Sequence, residues 1–120
     1  MHEAMMDKAR ELGRLIGQTT EYKTLERARE GVTEDRELSG LLQTLARLEV
    51  ELAGAIERGE EPPREAAESY EKNLMQVQAS SLYQSLVSAQ SNFDKLLARV
   101  NDEIGQGMET GSRSRIILPD

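Results

Sequence analysis

Residues 82–104 read LYQSLVSAQSNFDKLLARVNDEI, and their spacing decides the fold class. Leu82, Leu86, Ala89, Phe93, Leu96, Val100 and Ile104 recur at steps of three and four. That is the period of one face of an α-helix. At ~100° per residue, Leu82, Leu86, Phe93 and Val100 fall within about 40° of each other. Tyr83 and Val87 lie about 100–140° to one side, so the apolar face here is nearly half the helix, wider than a typical surface helix needs. A helix over these residues is about 35 Å long, close to the diameter of a domain this size. Two readings fit the excess apolar width: neighbouring helices of the same chain cover it, or a second chain does.

Working outward, the preceding segments carry the same signal. Ala66, Tyr70, Leu74 and Val77 mark a helix, with Glu68 and Lys72 as a surface pair. Ser80 and Ser81 either cap a new helix after it or bend a continuous one. Upstream, Gly59-Glu60-Glu61-Pro62-Pro63 is the clearest break, with Pro63 suited to the first position of the next helix. Before it, Leu38, Leu42, Leu45, Leu48, Leu52 and Ile56 line a long helix beginning near Thr33 or Asp35. A shorter helix, capped by Thr19 or Thr20, runs through Tyr22, Leu25 and Ala28 and ends at Gly31. The first helix places Met5, Ala9, Leu12 and Ile16 on one face and closes at Gly17. These segments predict an all-α fold, an elongated bundle of about five helices with a long antiparallel helical hairpin. The predicted organisation is a single helical domain over residues 1–108 and a flexible tail over 109–120. Gly105 and Gly107 end the last helix in this reading, and the tail is dispensable for folding. Ile116-Ile117-Leu118 is its apolar exception, suited to docking on a partner.

Composition narrows the function. Of the 120 residues, 38% are hydrophobic and 31% charged, and only Phe93, Tyr22, Tyr70 and Tyr83 are aromatic. The core is therefore aliphatic. A net charge of −7 argues against nucleic acid and anionic membranes, both of which need basic surface. No apolar run approaches the ~20 residues that cross a bilayer, and no secretory signal is visible at Met1-His2-Glu3-Ala4, which makes the cytoplasm the expected compartment.

The inventory for chemistry is poor. There is no cysteine, so disulfides, thiolate metal sites and cysteine-held clusters are excluded. His2 is the only histidine and stands at a chain end. Ser80 and Ser81 have no histidine to activate them, and helix capping is the better reading. Gly13-Arg14-Leu15-Ile16-Gly17-Gln18-Thr19-Thr20 lacks the lysine of a phosphate loop and lies on a helix. The acids between Glu57 and Glu71 lack EF-hand spacing. No catalytic residue, cofactor, metal or small-molecule substrate is expected. The expected function is binding to other proteins through amphipathic helices. A homodimer, or a hetero-oligomer with related helical proteins, would use Tyr83 and Val87, with Leu97 extending the patch. A general holdase chaperone or coiled-coil scaffold is the alternative.

Three stretches carry a family resemblance: Asp7-Lys8-Ala9-Arg10-Glu11-Leu12-Gly13-Arg14-Leu15-Ile16, then Glu21-Tyr22-Lys23-Thr24-Leu25-Glu26-Arg27-Ala28, then Leu82-Tyr83-Gln84 through Phe93 to Val100-Asn101-Asp102-Glu103-Ile104-Gly105. With the order short helix, short helix, long helix, Pro-rich turn, long helix, the chain resembles the YlbF/YmcA family of small bacterial proteins over about residues 4 to 108. The resemblance implies an all-α bundle that forms dimers or mixed complexes. It also implies a regulator that acts with ribonuclease Y, an RNA-degrading enzyme, in mRNA processing, competence, sporulation and biofilm formation. Some relatives link C-terminal cysteines to an iron–sulfur cluster. This chain has no cysteine, and that role does not carry over.

Elemental analysis of the native protein is therefore expected to find well under one equivalent of iron or zinc per chain. A full equivalent would overturn this reading of the residues.

Overall fold

The computed structural model describes residues 1–113, and helix accounts for 89% of them. The helices are α1 (Glu3–Gly17), α2 (Thr20–Glu34), α3 (Arg36–Glu57), α4 (Arg64–Ala79) and α5 (Ser81–Arg113), with no strand among the described residues. The chain divides into two compact units, one of Met1–Glu26 with Ala89–Asp120 and one of Arg27–Ser88. They are described in turn.

The Arg27–Ser88 unit is built on the α3–α4 hairpin, its closely approached helix pair. The hairpin turn is set by backbone chemistry. Gly59 stands at φ +71°, in the left-handed region that glycine enters without steric cost. Its N–H donates to the Ile56 carbonyl (3.0 Å), and the Glu60 N–H donates to the Ala55 carbonyl (2.9 Å). This pair of bonds satisfies the last carbonyls of α3 and stops it. Pro62 and Pro63 then carry the chain over, and Pro63 is the residue before the helix, with α4 beginning at Arg64. Glu68 pairs with Arg64 across one turn (3.2 Å).

Val32, Leu38, Leu45 and Val77 form the buried cluster of this unit. Leu41, Leu42, Tyr70, Leu74, Tyr83 and Leu86 pack against it. The corner between α2 and α3 is a single residue. The Asp35 carboxylate accepts from the Leu38 N–H (2.9 Å), and the Ser39 hydroxyl donates to the Val32 carbonyl (2.9 Å). Asp35, and not Thr33, is thus the cap. Ser80 resolves the other open junction: its backbone leaves the helix at ψ 125°, and its hydroxyl accepts from the Tyr83 N–H (3.3 Å). It caps a new helix.

In the unit of Met1–Glu26 and Ala89–Asp120, Thr19 caps α2 by accepting from the Tyr22 N–H (3.2 Å). Its hydroxyl also donates to the Ile16 carbonyl at the end of α1 (2.6 Å). Tyr22 and Phe93 stack in a tilted ring pair with centroids 5.6 Å apart. Leu25 and Ala89 are buried here, while α1 contains no buried residue at all.

Four sequence expectations need correction. Gly31 does not end α2, which continues to Glu34. The glycine sits inside the helix near Leu82, where an added Cβ would stand 3.5 Å from a Leu82 methyl, an ordinary contact distance. The last helix does not close at Gly105 and Gly107 but runs to Arg113. Glycine weakens a helix by roughly 1 kcal/mol per residue without forbidding it, and an Arg113–Glu109 pair (3.6 Å) spans the final turn. Residues 109–113 of the expected flexible tail are accordingly helical, and Ile116-Ile117-Leu118 lies outside the described residues. Ile56 is not a core residue: it is 66% exposed, and Ala55 is buried in its place. The seam Leu45, Leu48, Leu52 proceeds by threes and fours, and its next seven-residue position is Ala55. On α1, finally, Met5 and Ala9 stand exposed, and only Leu12 and Ile16 of the expected stripe are partly covered.

Core assignment on α3 is testable by paired truncation. Leu45→Ala is expected to cost about 2–5 kcal/mol in denaturant unfolding, whereas Ile56→Ala costs less than about 1 kcal/mol. Similar losses at both positions would place Ile56 in the core after all.

Candidate protein-binding surfaces

The described residues bury no polar or charged side chain. Nor do they gather three or more His, Asp or Glu groups in a metal-binding arrangement. One titrating group with a shifted pKa is Tyr70 at the side of the hairpin. Partial desolvation, and then the neighbouring Glu49 carboxylate that accepts its hydroxyl proton at 3.3 Å, raise it above the ordinary tyrosine range. This keeps the phenol protonated, as a structural hydrogen bond requires. The surface features that stand out are apolar.

All five methionines of the chain, Met1, Met5, Met6, Met75 and Met108, are exposed. So are Leu15, Val50, Ile56, Leu82, Val87 and Ile104. Methionine is flexible and polarizable, and on a surface it suits contact with protein partners of varied shape.

In the Arg27–Ser88 unit, two of the sequence-derived contact residues sit together. Tyr83 is partly buried and packs against the core cluster, while Val87 is 51% exposed. Both line a shallow cleft with Gln78, Gln84 and Ser88. The third candidate, Leu97, belongs to the other unit and is partly buried there.

That other unit holds an apolar groove of about 590 Å³. Leu12 of α1 forms one side, and Leu96, Val100 and Ile104 of α5 form the other. Arg99, Asp102 and Glu103 stand at its rim. Periodicity places Leu12 on one helix stripe and Leu96, Val100 and Ile104 on another, but it does not pair the two helices, so this surface is not visible in the sequence. The spacing of four through Leu96, Val100 and Ile104 continues to Met108, past Gly105 and Gly107, in keeping with the longer helix.

Charge is divided unequally. The Arg27–Ser88 unit has 12 acidic and 7 basic residues, against 10 and 8 in the other. On α1, Glu3, Asp7 and Glu11 are matched by Lys8, Arg10 and Arg14, and Arg10 is paired with Asp7.

These features define an all-α protein with apolar residues exposed on its helix faces. A family model described as control of competence regulator ComK, YlbF/YmcA, matches residues 5–109. The chain belongs to this family of regulatory proteins. Among curated proteins, none matches it. No helix within the described residues is long and apolar enough to cross a membrane.

Because Val87 is half exposed, Val87→Glu is expected to leave helicity and the melting midpoint almost unchanged, within about 0.5 kcal/mol. A fall in midpoint of more than about 10 °C would show that Val87 belongs to the core.

Proposed function

We propose that this chain is a non-enzymatic regulatory adaptor of the cytoplasm that binds partner proteins through exposed apolar helix faces. The observation that carries the reading is the exposure of every methionine, together with an amphipathic first helix that buries none of its residues. A helix with an apolar stripe gains little from folding against water, and its stripe is free to stabilise a complex. Tyr83 and Val87 form one contact site in this reading, with Leu97 as part of a second. Partners are a further copy of the chain or related helical proteins. By family likeness they include an RNA-degrading enzyme of the ribonuclease Y type, with mRNA processing, competence, sporulation and biofilm formation as the processes affected. Membership of a regulatory family supports this reading.

Affinity purification from the native organism, followed by quantitative mass spectrometry, tests it. The expected result is a few proteins near stoichiometric amounts, one of them an RNA-processing enzyme, with recovery reduced by Val87→Glu or Met75→Glu. Broad suppression of aggregation of unrelated clients, with no stoichiometric partner, would identify a holdase instead.

A further inference from the structure

Between Lys72 and Asp94 the chain runs through NLMQVQASSLYQSLVSAQSNF without a charged side chain, although 31% of the whole is charged. Burial explains only part of that run. Leu74, Val77, Tyr83 and Leu86 belong to the core of the Arg27–Ser88 unit or pack on it. Met75, Gln76, Gln78, Leu82, Gln84 and Val87 are exposed and equally uncharged. On α3 of the same unit the exposed positions include Arg47, Glu49, Glu51 and Glu57. A solvated helix face normally carries such charges. The centre of a protein contact is depleted of them, because desolvating an unpaired charge is costly.

We propose that the surface around the α4–α5 junction, from Met75 to Ser88, is the contact centre for a segment of a different protein whose facing side is uncharged and flanked by a lysine or arginine. The inference rests on the adaptor reading and gives the chemistry of the partner at its Tyr83 and Val87 site.

Two clefts lie at this junction. One, of about 580 Å³, is lined by Gln78, Tyr83, Gln84, Val87 and Ser88 and has no charged group in its wall. Tyr83 and Val87 supply apolar area, and the amides and hydroxyls both donate and accept. Gln84 Nε2 donates to the Gln78 carbonyl (2.9 Å), which holds the side chain in place and leaves its amide oxygen to accept from a partner. The second cleft, of about 440 Å³, reaches the junction through Gln76, Ser81 and Leu82 and adds Asp35 and Glu37. Asp35 is engaged as the cap of α3, so the exposed Glu37 is the charge that an incoming segment meets. The unit as a whole has 12 acidic and 7 basic residues. These acids select the occupant. A second copy would set the same acids against them, whereas a basic residue beside an uncharged face is attracted.

Photo-crosslinking in the native organism tests the proposal, with a benzophenone amino acid in place of Ser88 in the full chain. The expected cross-link maps to a segment of another protein that is uncharged on one face, with Lys or Arg next to it. Gln84→Glu and Gln84→Lys are each expected to lower recovery of that protein at least about tenfold with helicity retained, because a charge of either sign is left buried without a partner. Glu37→Lys should lower it too, while Glu57→Lys, at the far end of α3, leaves it unchanged. Loss confined to one sign at Gln84 overturns the proposal. So does a cross-link to an acidic segment, to nucleic acid or to a second copy. If a stoichiometric partner is captured but none of the three variants affects it, the proposal falls and the adaptor reading stands. Absence of any stoichiometric partner overturns both.

Discussion

Burial of Val77 in one cluster with Val32, Leu38 and Leu45 is the packing on which the Arg27–Ser88 unit depends. With so little aromatic material, this core is made of small aliphatic contacts that come from three different helices, α2, α3 and α4. They meet only if the α3–α4 turn reverses the chain tightly. The left-handed Gly59 and the two hydrogen bonds around it achieve that reversal within a few residues. The one-residue corner at Asp35 does the same for α2 and α3, with a carboxylate and a serine hydroxyl closing the open backbone groups. Small residues continue the logic: Ala55 and Ala66 are buried on the two arms of the hairpin, where larger side chains would hold the helices apart.

The other unit is organised differently. It buries Leu25 and Ala89 and stacks Tyr22 on Phe93, but its first helix contains no buried residue. Exposed apolar residues on an amphipathic helix are a cost unless something else meets them. The division of charge runs parallel to the division of burial. The unit with the formed core carries the greater acidity, and the unit with the exposed stripes is nearly neutral.

Much of this was legible in the sequence. The three-and-four spacing of leucines on α3, the Gly-Pro break, the acidic and hydroxyl caps and the lack of cysteine all follow from local rules, because helix formation and capping involve residues within one or two turns. Hence Asp35, Ser80 and Thr19 could be named as caps or near-caps before any tertiary contact was known. The family likeness was legible for the same reason, since it consists of helix-face positions repeated along the chain.

What the sequence could not decide depended on neighbours distant along the chain. A spacing of four from Leu52 leads to Ile56 and a spacing of three to Ala55, and the structure buries Ala55. Glycine at 31 reads as a stop, yet α2 continues through it to Glu34 and the corner at Asp35. Tyr83 and Val87 look equivalent on a helical wheel, yet one packs on the core and the other faces outward. An apolar residue records that burial is favourable and not which surface will provide it. The sequence by itself determined helices, caps and the absence of cysteine chemistry. Tertiary structure decided which stripes are spent on the core and which, like those of α1 and the end of α5, remain open.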